Sequence, residues 1–217
     1  MKKLELNNKV LVVGANGNMG SRYSAILKTL EKEVVKIDIG DFIPKGIKKA
    51  IIATSTKSHY QNILGCIGNG YTHILCEKPV SMDLDELTKI KELVDHAEID
   101  FRMVCNWTFT TPIKFRPNSC TINYDCWRTG NDGLYPDTIQ LVHLARSTKK
   151  EDLLINNKSP IFHCCINGIE ISLTDIDRSY LAMILTWLNT PEDLWDLNDA
   201  ISSTRKVLKV VEERTKK

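Results

Sequence analysis

Apolar and polar positions in the first hundred residues switch between two periods. Lys9 to Val13 (KVLVV) is a short β-branched run that stops abruptly at Gly14, the pattern of a buried strand. Beyond it Met19, Tyr23, Ile26, Leu27 and Leu30 recur at three- and four-residue spacings, which predicts a helix with one buried face. Residues 33–39 (EVVKIDI) predict a second strand ending near Asp38, residues 50–54 (AIIAT) a third, 73–76 a fourth and 101–105 a fifth. Helices are predicted over 58–68, closed by Gly68-Asn69-Gly70, and over 83–97. For the latter Ser81 is the expected N-cap, Asp83, Asp85 and Glu86 fill the first turn, and Leu84, Leu87, Ile90, Leu93 and Val94 form the buried stripe.

Strand and helix signals in alternation imply an α/β fold, a doubly wound parallel sheet with ligands at the carboxyl ends of its strands. Every chemically suggestive residue falls at those ends. Gly14 to Gly20 (GANGNMG) follow the first strand, Asp38 ends the second, Thr54 and Ser55 follow the third, Glu77 and Lys78 the fourth, and Asn106 the fifth. In the glycine turn, Gly14 permits the tight bend, Gly17 lets backbone approach a pyrophosphate, and Gly20 lets helix and strand pack closely. Asn16, Asn18 and Met19 complete the turn, and the helix start offers free N–H groups and a positive dipole end to an anion. Asp38, eighteen residues past Gly20, is placed to accept hydrogen bonds from ribose hydroxyls; its charge repels a 2′-phosphate and favours NAD over NADP.

Beyond residue 107 the signals change. Residues 119–128, 161–166 and 169–173 suggest a small antiparallel sheet, with Asn167-Gly168 as a hairpin signal, beside two or three helices. Two domains are therefore expected, residues 1–107 and residues 108–217, the second a small α+β domain. A sheet this small has an apolar face to cover, and Trp127, Phe162 and Ile171 are expected to bury it in a homodimer.

Charge narrows the range of functions. The formal net charge is +2 and Lys and Arg are dispersed, so no nucleic-acid footprint is visible. No run approaches the ~18 apolar residues of a membrane span, and MKKLELNNK lacks a signal-peptide core, so a cytosolic location with no membrane partner is expected. Seven cysteines form no C-x-x-C pair and no zinc spacing, and are read as reduced thiols with no metal role.

The glycine turn, the segment Ala53 to His59 (ATSTKSH), the triplet Glu77-Lys78-Pro79 and Asn106 together resemble the glucose-fructose oxidoreductase, inositol dehydrogenase and MocA (Gfo/Idh/MocA) family of NAD(P)-dependent oxidoreductases. The resemblance spans residues 8 to 107 and is patchy beyond. It implies a Rossmann-type first domain and a dinucleotide contacted by the turn, Asp38, Thr54, Ser55, His59, Glu77, Lys78 and Asn106. It also implies that Lys78 lies beside the nicotinamide and the substrate hydroxyl, where a partly desolvated amine can move a proton. A cis bond before Pro79 would suit such a loop. The family carries an Asp and a His four residues apart in its second domain. In the corresponding stretch here, YPDTIQLVHLAR from Tyr135 to Arg146, Gln140 takes the histidine position and His143 that of a following aspartate. Gln140 can hydrogen-bond a hydroxyl but cannot act as an acid or base near neutrality. His143 is either an alternative acid/base group or a structural residue.

Three function classes follow. The first is an NAD-dependent oxidoreductase of carbohydrate metabolism, acting on a sugar, polyol or nucleotide-sugar hydroxyl with Lys78 catalytic. The second is a small reductase resembling dihydrodipicolinate reductase, whose His-His motif is missing here. The third is a non-catalytic dinucleotide-binding sensor or partner subunit, favoured by Gln140.

Overall fold

A computed structural model of the chain describes residues 8–110, 122–125, 153–156, 163–166, 169–170 and 172–215. Five parallel strands form the first sheet: β1 (Lys9–Val13), β2 (Glu33–Ile37), β3 (Lys49–Ile52), β4 (His73–Cys76) and β5 (Asp100–Met103), in the order β2-β1-β3-β4-β5. Val10 to Val13, Ala50 to Ile52 and Ile74 to Cys76 are fully buried, as expected of central strands covered on both faces. Each buried Val, Leu or Ile side chain among them contributes about 2 kcal/mol by leaving water.

Helices α1 (Asn18–Thr29), α2 (Thr56–Gly68) and α3 (Leu84–His96) join these strands. In α1 the buried apolar positions are Tyr23 and Leu27, with Met19, Ile26 and Leu30 half-buried at its margins. The N-cap of α3 is Asp83 rather than Ser81. Asp83 Oδ1 accepts the backbone N–H of Asp85 at 2.8 Å and of Glu86 at 3.3 Å, while Ser81 Oγ accepts the N–H of Asp83 and donates to Glu86 Oε2. A carboxylate at that position also suits the positive end of the helix dipole. Leu87, Ile90 and Val94 are buried, but Leu93 is 38% exposed and does not belong to the buried stripe.

Strand order reverses between β1 and β3, and a crevice opens outside the carboxyl ends of strands at such a point. Hydrogen bonding continues one step past those ends. Ala53 N–H donates to Val13 O at 2.9 Å, Glu77 N–H to Ile52 O at 2.8 Å, and Val104 N–H to Cys76 O at 2.9 Å. The segments leaving the sheet are thus held in register with one another before they diverge.

Two compact units make up the chain, one of Met1–Val104 with Thr186–Ala200, the other of Cys105–Leu185 with Ile201–Lys217. The expected boundary after residue 107 lies three residues from this break, but residues 186–200 rejoin the first unit. They hold the end of α4 (Leu173–Asn189) and the start of α5 (Leu197–Thr215). There Trp195 O accepts the N–H of Met103 at 2.8 Å and Leu194 O accepts from Arg102 Nη1 at 3.2 Å, which covers the edge of β5. Lys49 Nζ lies 5.8 Å from the centre of the buried Trp187 ring.

In the second unit, β6 (Ile122–Asp125), β7 (Leu153–Asn156), β8 (His163–Ile166) and β9 (Ile169–Glu170) form a sheet in the order β7-β6-β8-β9. It is mixed rather than antiparallel: β6 runs antiparallel to β8, and β8 to β9, but β6 and β7 are parallel. Trp127, Phe162 and Ile171, the expected dimer face, lie outside the described residues.

Candidate active site

The chain leaves β1 at Gly14, whose φ is +82° and where an added Cβ would stand 2.8 Å from Ala53 O. Both features require glycine. Gly14 and Ala15 donate their N–H groups to Ile37 O at 2.9 and 3.1 Å, and Gly17 donates back to Gly14 O at 3.1 Å. Gly17 is the N-cap of α1, and no side chain caps the helix. At Gly20 an added Cβ would fall 2.1 Å from Gly14 O, so its absence lets the helix rest on the turn. At Gly17 the nearest atom would be Gly14 O at 3.4 Å. Asn16, Gly17 and Asn18 are exposed and Met19 is half-buried, leaving an open backbone cradle at a positive helix end.

Asp38 stands directly after β2, which ends at Ile37. Its Oδ2 accepts the Asn16 N–H at 3.2 Å and its Oδ1 accepts the Ile39 N–H at 2.8 Å, while its own N–H donates to Asp41 Oδ2 at 2.7 Å. Each carboxylate oxygen keeps acceptor capacity for a further donor. The acid is therefore fixed beside the cradle and still able to take hydroxyl donors.

Past β3, Thr54 Oγ1 accepts from Asn62 Nδ2 at 3.2 Å, and Ser55 is the N-cap of α2 with its hydroxyl 3.3 Å from that of Ser58. His59 is buried. Its Nδ1 lies 2.8 Å from Pro79 O and its Nε2 3.0 Å from Thr54 O. Burial lowers its pKa from the ordinary 6.5, outweighing the two carbonyls and the Glu77 charge, which favour the imidazolium.

Past β4, Glu77 and Lys78 are both 7% exposed, and the Lys78–Pro79 peptide is cis. Glu77 Oε1 accepts the Tyr23 hydroxyl at 2.5 Å, and Oε2 accepts the N–H of Lys78 at 3.1 Å. The glycine turn, Asp38, Thr54, Ser55, His59, Glu77 and Lys78 all belong to the first unit and gather at the carboxyl ends of β1 to β4. Asn106 does not belong to that unit. It opens a 3-10 turn (Asn106–Phe109) in the second unit, where it is buried and its Nδ2 donates to Ser179 Oγ at 3.1 Å. Gln140 and His143 lie outside the described residues.

Tyr23 is the residue that sequence reasoning missed. The pattern marks it only as one of the buried positions of α1, although a tyrosine buried on a helix facing a sheet needs a hydroxyl partner, and that was the available signal.

Burial pushes the Cys66 thiol up to about 12 and the Cys76 thiol well above its ordinary value. Among the described residues no group of three or more His, Cys, Asp or Glu side chains is arranged to hold a metal ion, and no helix is long and apolar enough to cross a membrane.

Residues 38–103 match the model of the GFO_IDH_MocA family, described as an oxidoreductase family with an NAD-binding Rossmann fold. The match runs from Asp38 through the Glu77-Lys78-Pro79 triplet to the end of β5. No curated protein sequence matches the chain. Among solved structures it is similar to the WlbA dehydrogenase of Thermus thermophilus crystallised with NAD and UDP-GlcNAcA (14% identity, 93% of this chain and 94% of that one, TM-score 0.70). It is also similar to a myo-inositol dehydrogenase of Corynebacterium glutamicum (13%, 94% and 95%, TM-score 0.71) and to a Gfo/Idh/MocA family oxidoreductase of Vibrio cholerae (11%, 96% and 99%, TM-score 0.73). At these identities the likeness carries the fold.

Proposed function

From a chain whose residues 38–103 match the model of the Gfo/Idh/MocA oxidoreductase family, we infer an NAD-dependent oxidoreductase that acts on a hydroxyl of a sugar, polyol or nucleotide sugar. The observation that carries the reading is the shared rim. An uncapped helix start, the Asp38 carboxylate and a buried lysine stand at the carboxyl ends of adjacent strands of one sheet.

The residues present fit a dinucleotide. The backbone from Asn16 to Met19 would hold the pyrophosphate, since α1 starts at an exposed glycine and no side chain caps its first N–H groups. Asp38 would take the ribose hydroxyls and disfavour a 2′-phosphate, which makes NAD the cofactor in preference to NADP. The nicotinamide, when bound, supplies the hydride acceptor or donor. Lys78 takes the hydroxyl proton as a carbinol is oxidised, or returns one in reduction. Its buried setting limits competing water. The sugar-like substrate class is supported by the two solved relatives whose names specify a nucleotide sugar and an inositol.

One sequence feature favours a second reading. Gln140 at the expected histidine position is consistent with a dinucleotide-binding protein without turnover. A panel of sugars, polyols and nucleotide sugars, assayed for NADH formation and NADH consumption, separates the two: turnover that vanishes in Lys78→Ala supports the enzyme, and NAD binding without turnover supports the sensor.

A further inference from the structure

The loop that carries Lys78 is gripped from two helices. On one side Tyr23, fully buried on α1, donates its hydroxyl to Glu77 Oε1 at 2.5 Å, and Glu77 Oε2 accepts the backbone N–H of Lys78 itself. On the other side His59, buried on α2, lies with Nδ1 2.8 Å from Pro79 O, and the tautomer protonated at Nδ1 donates to that carbonyl while Nε2 faces Thr54 O. The Glu77–Lys78 and Pro79–Val80 peptides are thus tied to different helices. One of those helices, α1, begins at the anion cradle.

We propose that Tyr23 and His59 are positioning residues for Lys78, clamping the Glu77–Pro79 loop so that the amine is held at a fixed place relative to the start of α1. This rests on the functional reading above only for the purpose of the amine; the clamp itself is a property of the chain without ligand. A phenylalanine at 23 and an apolar residue at 77 would fill the same space without desolvating a hydroxyl and a carboxylate. What the polar pair adds is direction. A carboxylate that bridges a hydroxyl and a backbone N–H fixes both partners at once, and misplacement of a reacting group by about 1 Å is costly to catalysis. Glu77 and His59 act in this scheme through the loop they hold.

The test reads Lys78 directly, with no cofactor or substrate present. The intact protein is acetylated with a dilute amine-reactive ester, and labelling of Lys78 is followed by peptide mass spectrometry relative to the more exposed Lys91. In Tyr23→Phe the Lys78/Lys91 ratio is expected to change by about threefold or more, as the loop loses one hold. Ser24→Ala is the control, since Ser24 is buried on the same helix with a hydroxyl that has no hydrogen-bond partner among the described residues; it should leave the ratio unchanged. Glu77→Leu removes the acceptors of both the Tyr23 hydroxyl and the Lys78 N–H, and His59→Leu removes the group facing Pro79 O, so each should also move the ratio. These two variants answer the question should Tyr23→Phe fold poorly. A wild-type ratio in the folded variants overturns the clamp. NAD titration of Tyr23→Phe and Ser24→Ala should stay within about threefold of wild type, because neither changes a residue expected to contact the dinucleotide. Failure of the wild-type chain to bind NAD would overturn the functional reading and leave the labelling result to decide the clamp.

Discussion

The Asp38 carboxylate and the backbone N–H of Asn16 are joined by a 3.2 Å hydrogen bond that ties the end of β2 to the glycine turn. The proposed ribose acceptor and the proposed phosphate cradle are thus parts of one bonded unit. Asp38→Ala is expected to weaken NAD binding about tenfold, roughly 1.4 kcal/mol, and to raise relative tolerance for NADP. Calorimetric titration with both cofactors measures this, and an unchanged preference would show that Asp38 does not read the ribose.

Gly20 and Gly17 should respond differently to an added methyl. A Cβ at Gly20 meets Gly14 O at 2.1 Å, so Gly20→Ala is expected to cost about 3 kcal/mol in urea unfolding and to disturb the turn. At Gly17 the nearest atom is 3.4 Å away, and Gly17→Ala should cost about 1 kcal/mol or less while lowering cofactor affinity. Equal stability of the two variants would contradict the packing described.

Lys78→Ala should abolish turnover while NAD affinity stays within about threefold, the signature of a group that acts in the reaction rather than in cofactor binding. Steady-state assays paired with titration test this, and retained turnover removes Lys78 from the mechanism.

His59 gives the fold an acid-side sensitivity. Because burial lowers its folded pKa below 6.5, the unfolded chain takes up the proton first as pH falls. Its contribution to stability is complete above the unfolded value and is lost as pH drops from there through the folded pKa. His73 is shifted in the same direction, again mainly by burial, so His59→Gln should reduce the slope without removing it. Urea unfolding at about pH 5.5 and about pH 7.5 compares the two proteins; equal slopes would mean that His59 is not buried neutral.

The parts of the fold that are local in sequence were legible. β1 and β4 follow from apolar runs closed by a glycine and by a polar triplet, and their bounds agree with the pattern. The cap of α3 was harder, because Ser81 and Asp83 both compete for it and only the geometry decides which meets the free N–H groups. Leu93 keeps the helical spacing yet lies at the edge of the buried arc, a difference that periodicity does not resolve. Strand order, the return of residues 186–200 to the first unit and the parallel pairing of β6 with β7 depend on long-range packing. The same applies to the site. The glycine turn and the Glu77-Lys78-Pro79 triplet are read from adjacent residues, whereas the Tyr23–Glu77 bond joins positions 54 residues apart.

The most direct test of the central claim is calorimetric titration of the purified chain with NAD, NADH, NADP and NADPH. Saturable micromolar binding of NAD or NADH, with the phosphorylated forms weaker, is the predicted result. No binding of any of the four would contradict it, because the cradle, Asp38 and the lysine loop would then lack the ligand that gives them a common purpose.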